Sequence, residues 1–225
     1  MKTWKAESID RVQPFVFLLC LLPVIRWFYL GSVGGMTAEP ALFFARSSGQ
    51  WALGMLCLAL AVTPIRQMLG QPALLRWRRM LGLYAFFYAF LHMIAWLWLD
   101  RKLSFSFMLQ DLVERPYILL GMLSFAIMCV LAATSRQQSI RKLGRNWQRL
   151  HRAVYVVGIL VIIHFWKMHP AGQSLVAPVV FTLLMAFLLL WRVVNALVLR
   201  RKVQTIVDSV GNVSGSGRHP REDGR

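Results

Sequence analysis

The sequence predicts an all-α membrane protein: a six-transmembrane helix bundle with both termini in the cytoplasm. Three observations carry that expectation. Of 225 residues, 57% are hydrophobic, and the mean hydropathy is +0.53, outside the range of an ordinary soluble domain. Six apolar segments, residues 14–30, 51–68, 77–99, 117–134, 150–168 and 175–199, each come near the ~20 residues a helix needs to cross a bilayer. Lys and Arg crowd into alternate connections, which sets the orientation.

Each element follows in order. Residues 1–13 carry Lys2, Lys5 and Arg11 and are read as the cytoplasmic N-terminus. The span 14–30 has the length of a signal peptide, but five more spans follow and no small-residue cleavage site closes it. Residues 31–50, rich in small residues and low in charge, read as an outer loop and a candidate lid. The second span ends in an inner connection with Arg66, Arg76, Arg78 and Arg79. The third runs out to Asp100, where the loop 100–115 mixes Asp100, Asp111 and Glu114 with basic residues. Arg115-Pro116 reads as a helix start, because proline lacks only an N–H that the first turn leaves unused.

The fourth span enters the inner connection 135–149, which contains Gly144 and five Arg or Lys residues: Arg136, Arg141, Lys142, Arg145 and Arg149. The fifth span leaves past Lys167 and the sixth returns. Residues 14–202 form one membrane domain, and 203–225, with Gly211, Ser214, Gly215, Ser216 and Gly217, read as a disordered cytoplasmic tail. No internal repeat is visible. The outer connections hold few cations, chiefly Arg46, Arg101, Lys102, Arg115 and Lys167. The net charge of +17 is thus explained by topology and anionic lipid head groups, without nucleic acid. Cys20, Cys57 and Cys129 lie inside apolar spans without CxxC spacing, so they read as small core residues.

The chemistry points to histidine. Three of five histidines, His92, His151 and His164, fall at or within spans. An imidazole in hydrocarbon needs a partner, and neutral imidazole is an axial ligand of haem iron. The third and fifth spans run the same way, from the inner face outward, so His92 and His164 share a depth in their outer halves. Two facing histidines there make a bis-histidine haem site. His151 lies thirteen residues before His164, about 20 Å deeper, leaving room for a second haem or a flavin. On an ideal helix thirteen residues turn about 220°, so the pair shares no face. Either a kink near Gly158 or ligands approaching from different sides is required. Thirteen and fourteen residues before His92 stand Arg79 and Arg78 rather than a second histidine. These arginines suit haem propionates or a flavin phosphate, or serve only as inner positive charge. His169 is expected to be solvated outside, and His219 lies in the tail. The tryptophans flanking spans fit an interfacial belt. No phosphate-binding glycine motif and no soluble segment long enough for a nucleotide domain is present.

Three stretches carry a family resemblance: Leu75-Arg76-Trp77-Arg78-Arg79-Met80-Leu81-Gly82-Leu83 leading to Leu91-His92, then Arg115-Pro116-Tyr117, then the run from Arg141 through Gly144-Arg145-Asn146-Trp147-Gln148-Arg149-Leu150-His151 to Tyr155 and His164. Over about residues 10–200 the chain resembles the MsrQ (YedZ) family, within the ferric-reductase-like transmembrane group. Members are haem-binding membrane subunits of the bacterial periplasmic methionine-sulfoxide reductase system MsrPQ. The resemblance implies haem b, one or two copies, with His92, His151 and His164 as ligand residues, and FMN as a further cofactor. It implies a multi-pass protein of the Gram-negative inner membrane. Electrons would pass from a cytoplasmic flavin reductase or the quinone pool to the periplasmic molybdopterin enzyme MsrP, which repairs oxidised proteins. The chain departs from the wider ferric-reductase group in lacking a fourth histidine and a flavin/nicotinamide domain. Two other classes stay in view: a non-redox transporter, disfavoured because the spans contain no Asp or Glu, and an anchor subunit without cofactor. A haem Soret band that responds to reduction separates the first reading from both.

Overall fold

The computed structural model describes residues 6–100, 104–169 and 172–215, and every regular element among them is helical. Expectations placed on Lys2, Lys5, Arg101, Lys102 and His219 lie outside the described residues. Six helical stretches are long and apolar enough to cross a membrane: Asp10–Ser32, Pro40–Leu69, Pro72–Leu99, Pro116–Ala133, Arg145–Met168 and Val176–Thr205. Their surfaces present large apolar side chains such as Phe15, Phe28 and Leu183, as helices facing lipid do.

The elements are α1 (Ala6–Ser32), α2 (Pro40–Leu69), α3 (Leu75–Ile94), α4 (Phe105–Glu114), α5 (Pro116–Ala133), α6 (Gln137–Leu143), α7 (Arg145–His151), α8 (Ala153–Met168) and α9 (Val176–Gly215). A 3₁₀ turn, Pro72–Leu74, leads into α3, and a π-helical turn, Ala95–Asp100, extends it. α2 stops at Gly70, left-handed at φ 63°, whose N–H bonds back to the Arg66 carbonyl. α5 opens with Pro116 in its first turn, as Arg115-Pro116 led us to expect.

Several boundaries differ from expectation. α2 begins at Pro40, so most of the expected outer loop 31–50 is helix rather than lid. Arg46, Ser47, Ser48 and Gln50 depress the local hydropathy, yet the serines are satisfied inside the bundle. Ser48 Oγ donates to the Phe44 carbonyl at 2.7 Å, and Ser47 Oγ accepts from Trp27 Nε1 at 2.9 Å. The connection 100–115 contains α4, and the connection expected on the inner side contains α6 and α7, divided at Gly144 with φ 51°. α9 runs through Gly215, well into the segment 203–225 expected to be disordered. A nucleated helix adds one hydrogen bond for each further residue, so polar sequence after a long apolar helix can continue it. Residues 216–225 lie outside the described set.

The chain forms two compact units, Met1–Met185 and Ala186–Arg225. In the second, Phe187 and Trp191 lie against each other on α9, ring centres 6.0 Å apart. In the first, α2 with α3 and α5 with α8 are the two most extensively packed pairs. α1 is fastened to α3 by two phenols on one α3 face: Tyr84 donates to the Phe17 carbonyl at 3.0 Å and Tyr88 to that of Cys20. Trp27 sits edge-on to Phe44 and Tyr88, at 4.7 and 5.8 Å, each such pair contributing about 0.5–1.5 kcal/mol beyond its buried area. Arg76 also pairs with Asp10 at the start of these helices. α3 meets α5 through Phe125, which stacks on Phe86 and Phe90 at 5.9 and 6.4 Å. This link holds the two helix pairs together. Cys20 and Cys57 are buried, Cys129 is half-buried, and all three are free thiols.

Candidate haem site

α3 and α8 each bring one histidine to a common point. The ring centres of His92 and His164 are 6.2 Å apart, and their planes are nearly perpendicular at 84°. Each ring is anchored by its Nδ1. His92 Nδ1 lies 2.8 Å from the Ala45 carbonyl on α2, and His164 Nδ1 lies 2.7 Å from the Tyr117 carbonyl on α5. A carbonyl only accepts, so each Nδ1 carries the proton and each Nε2 is left with its lone pair.

Two glycines make room for the rings. A Cβ on Gly49 would stand 3.1 Å from His92 Nδ1 and 3.2 Å from its Cε1. A Cβ on Gly121 would stand 2.9 Å from His164 Cε1 and 3.1 Å from its Nδ1. These distances are tighter than ordinary contact, so each imidazole lies directly on bare backbone.

The pair fits a haem iron. With imidazole–metal bonds of about 2.0–2.1 Å and about 1.15 Å from ring centre to nitrogen, two nitrogens facing each other across one metal put their ring centres about 6.3–6.5 Å apart, close to the observed 6.2 Å. Proton placement agrees, since a ligating histidine donates its other ring N–H to a carbonyl or carboxylate and keeps the remaining nitrogen free.

His151 stands apart from this pair, at the end of α7. Its Nε2 is 3.1 Å from Thr134 Oγ1, and its ring stacks on Trp147 at 4.1 Å. Thr134 Oγ1 is also 2.7 Å from the Val130 carbonyl, which takes the hydroxyl proton. Thr134 therefore accepts, and His151 donates through Nε2, the reverse of the wiring at His92 and His164. Trp147 is held in turn by its Nε1, which donates to the Thr134 carbonyl at 3.0 Å. Arg78 is half-buried and near enough for its charge to act on the His151 ring, while Arg79 is exposed.

Of the two alternatives, a kink near Gly158 or ligands approaching from different sides, the first finds no break in regular structure at that residue: α8 is helical throughout Ala153–Met168. The break falls at Arg152, directly after His151. Two short-range bonds tighten the chain there, Arg152 N to Arg149 O at 3.2 Å and Tyr155 N to Arg152 O at 3.0 Å. Gly158 is buried against the Met185 sulfur on α9, with 2.9 Å to a hypothetical Cβ. His169, expected to be solvated, is half-buried beside Phe165, and its Nε2 has no hydrogen-bond partner among the described residues.

Sequence reasoning gave no role to Ala45, Gly49, Tyr117 or Gly121, although Tyr117 stands in the Arg115-Pro116-Tyr117 stretch. Two of them act through a backbone carbonyl and two through the lack of a side chain. Spacing offers the one usable signal: in each half the glycine follows the carbonyl residue by four.

Residues 48–162 match the family described as "Ferric reductase like transmembrane component". That stretch includes Arg78, Arg79, His92 and His151 and ends just before His164. A protein of Bordetella pertussis named "Protein-methionine-sulfoxide reductase heme-binding subunit MsrQ" is 52% identical over 189 residues, covering 84% of this chain and 91% of that one. Proteins of the same name from Ralstonia nicotianae and Xanthomonas campestris pv. campestris (strain 8004) are 46% and 43% identical. They cover 83% and 88% of this chain, and 87% and 92% of their own lengths.

Proposed function

We propose a function from one premise: the chain belongs to the MsrQ family of heme-binding subunits, within the ferric-reductase-like transmembrane components. On that basis it is the haem b membrane subunit that carries electrons across the bacterial inner membrane to a periplasmic molybdopterin methionine-sulfoxide reductase of the MsrP type. The observation that carries the reading is the His92–His164 pair, 6.2 Å between ring centres with both Nδ1 protons committed to carbonyls.

Bound between these histidines, haem would supply a one-electron iron couple. His92 on α3 and His164 on α8 hold the iron, and the Ala45 and Tyr117 carbonyls fix the protonation of both rings. The surrounding apolar helices keep water away. Reducing one sulfoxide takes two electrons and two protons and releases water, so the carrier serves twice for each repair event in the partner.

Donor access belongs at the other end of these helices. His151, Trp147 and Arg78 lie together there, with Arg79 on the same turn of α3, beside the basic connections that the positive-inside rule assigns to the cytoplasm. This cluster is the entry site for electrons from a flavin reductase or a quinol, and the place for FMN or a second haem. The chain is an electron-transfer subunit rather than a stand-alone catalyst.

The test uses full-length protein oriented in vesicles. The reduced protein is expected to be oxidised rapidly by the periplasmic reductase plus methionine sulfoxide, and not by the sulfoxide alone. Fast oxidation without the partner overturns the reading, as does a purified protein with no haem in a pyridine haemochrome assay.

A further inference from the structure

The two halves of the histidine site are built to one pattern. In both, the carbonyl that holds Nδ1 comes 47 residues before its histidine. In both, the glycine under the ring follows that carbonyl residue by four. Carbonyl, glycine and histidine of the first half map onto those of the second with a single offset of 72 residues (117 − 45, 121 − 49, 164 − 92). Sequence inspection shows no repeat; the equivalence appears only once the contacts are known. The same offset sets His151 against Arg79, so the correspondence of ligand residues is confined to the outer half.

The spacing of four has a physical cause. In an α-helix the N–H of residue i+4 bonds the carbonyl of residue i. Every Cα–Cβ bond leans toward the helix N-terminus. A side chain at i+4 therefore leans over the carbonyl at i, where an imidazole reaching in from a neighbouring helix must lie. The carbonyl has two lone pairs, so it accepts both its own helical N–H and the imidazole N–H. Only a residue without Cβ leaves the approach open. Gly54 on α2 meets nothing within 4 Å of a hypothetical Cβ, so helix composition alone does not account for a glycine at 49 or 121.

We propose that Ala45 with Gly49, and Tyr117 with Gly121, form a duplicated positioning device that presets each histidine for the metal. The carbonyl fixes which nitrogen is protonated, and the glycine fixes where the ring sits, so each helix pair presents a bare Nε2 at a defined angle. This rests on the reading that His92 and His164 hold haem. Gly49 and Gly121 are positioning residues, and the three atoms nearest a Cβ at each belong to the imidazole ring. Of the two, Gly121 tolerates less, because its Cβ would approach within 2.9 Å of the ring against 3.1 Å at Gly49.

The experiment compares four single variants of the full chain, Gly49→Ala, Gly121→Ala, Gly54→Ala and Gly158→Ala. Gly54→Ala controls for an added methyl group in α2. Gly158→Ala controls for tight packing away from the histidines, against the sulfur of Met185. The ferric low-spin electron paramagnetic resonance signal of purified protein should shift in Gly49→Ala and be lost or converted to high spin in Gly121→Ala. It should stay unchanged in both controls. A signal unchanged in both Gly49→Ala and Gly121→Ala, or shifted equally in Gly158→Ala, overturns the proposal. A second measurement needs no cofactor. Thermal unfolding of the apoprotein should show that Gly121→Ala destabilises the chain when His164 is present and has no further effect on a His164→Ala background. Equal losses on both backgrounds also overturn it. If wild-type protein binds haem while these comparisons fail, the positioning device is wrong and the haem reading stands. If wild-type protein binds no haem, the haem reading itself is wrong.

Discussion

Replacing Thr134 with Val should raise haem binding at the His151 end of the molecule. Valine keeps the shape of threonine and removes only the hydroxyl. That hydroxyl accepts from His151 Nε2 at 3.1 Å while giving its own proton to Val130. Before Nε2 can bind iron, the ring must release Thr134 and carry its proton on Nδ1. The hydroxyl therefore competes with the metal. Side-chain hydrogen bonds between membrane helices average about 0.6 kcal/mol and reach about 1.7 kcal/mol, which converts to about threefold and at most about eighteenfold in an equilibrium constant. The stack on Trp147 survives, because Trp147 is held by the Thr134 backbone carbonyl at 3.0 Å, which valine retains. The assay is apoprotein titrated with limiting haem, read as haem per protein by pyridine haemochrome. About threefold tighter binding of a second equivalent is expected, with the spectrum of the first unaltered. If the second equivalent binds equally or more weakly in Thr134→Val, or never binds in either protein, His151 is not held back from iron by this hydroxyl and the reasoning is refuted.

Other perturbations follow from the same geometry. His92→Ala and His164→Ala should each abolish the low-spin bis-histidine spectrum; an unchanged spectrum in both variants removes the pair from the site. Because the two rings stand at 84°, each would act on a different one of the two iron dπ orbitals and leave the pair nearly degenerate. The ferric signal should be strongly anisotropic, dominated by one low-field feature, and an ordinary rhombic signal would mean the rings turn on binding. Tyr88→Phe removes a fully buried hydroxyl that donates to the Cys20 carbonyl. It should lower thermal stability by about 0.5–1.5 kcal/mol in an unfolding assay without shifting the haem spectrum. NADH or NADPH alone should leave haem oxidised, and added flavin reductase or a reduced quinol should reduce it; direct reduction by the nicotinamide would require a site the chain was not expected to hold.

Hydropathy made the six spans legible, because a bilayer asks for about 20 apolar residues and the chain supplies them six times. Proline in a first turn made the start of α5 legible at Pro116. Two histidines at one depth are a pattern of side-chain chemistry, and side chains are what a sequence displays. The start of α2 was hidden because Arg46, Ser47, Ser48 and Gln50 look like loop residues until their partners are known. The carbonyls of Ala45 and Tyr117 were hidden for a deeper reason: every residue has a carbonyl, so none is marked. Gly49 and Gly121 contribute by the absence of a side chain, which resembles the other glycines of the chain. The mismatch of about 220° between His151 and His164 asks for either a kink, with Gly158 the candidate, or ligands approaching from different sides. The break in regular structure falls instead at Arg152, between α7 and α8, where short-range backbone bonds replace the helical ones.

Each half of the histidine pair is complete within its own helix pair, and this bears on how the molecule is made. The Ala45–His92 bond joins α2 to α3, and the Tyr117–His164 bond joins α5 to α8. During synthesis the first half can close as soon as α3 has entered the bilayer, before α5 joins it there. The second waits only for α8. On the proposed haem reading, insertion of the group would follow both closures, a clasp fastened between two finished pieces. A chain severed in the connection between Asp100 and Ser104 would yield two fragments, each bearing one prepared ligand, and co-expression of the two should restore a coloured protein where neither alone is coloured.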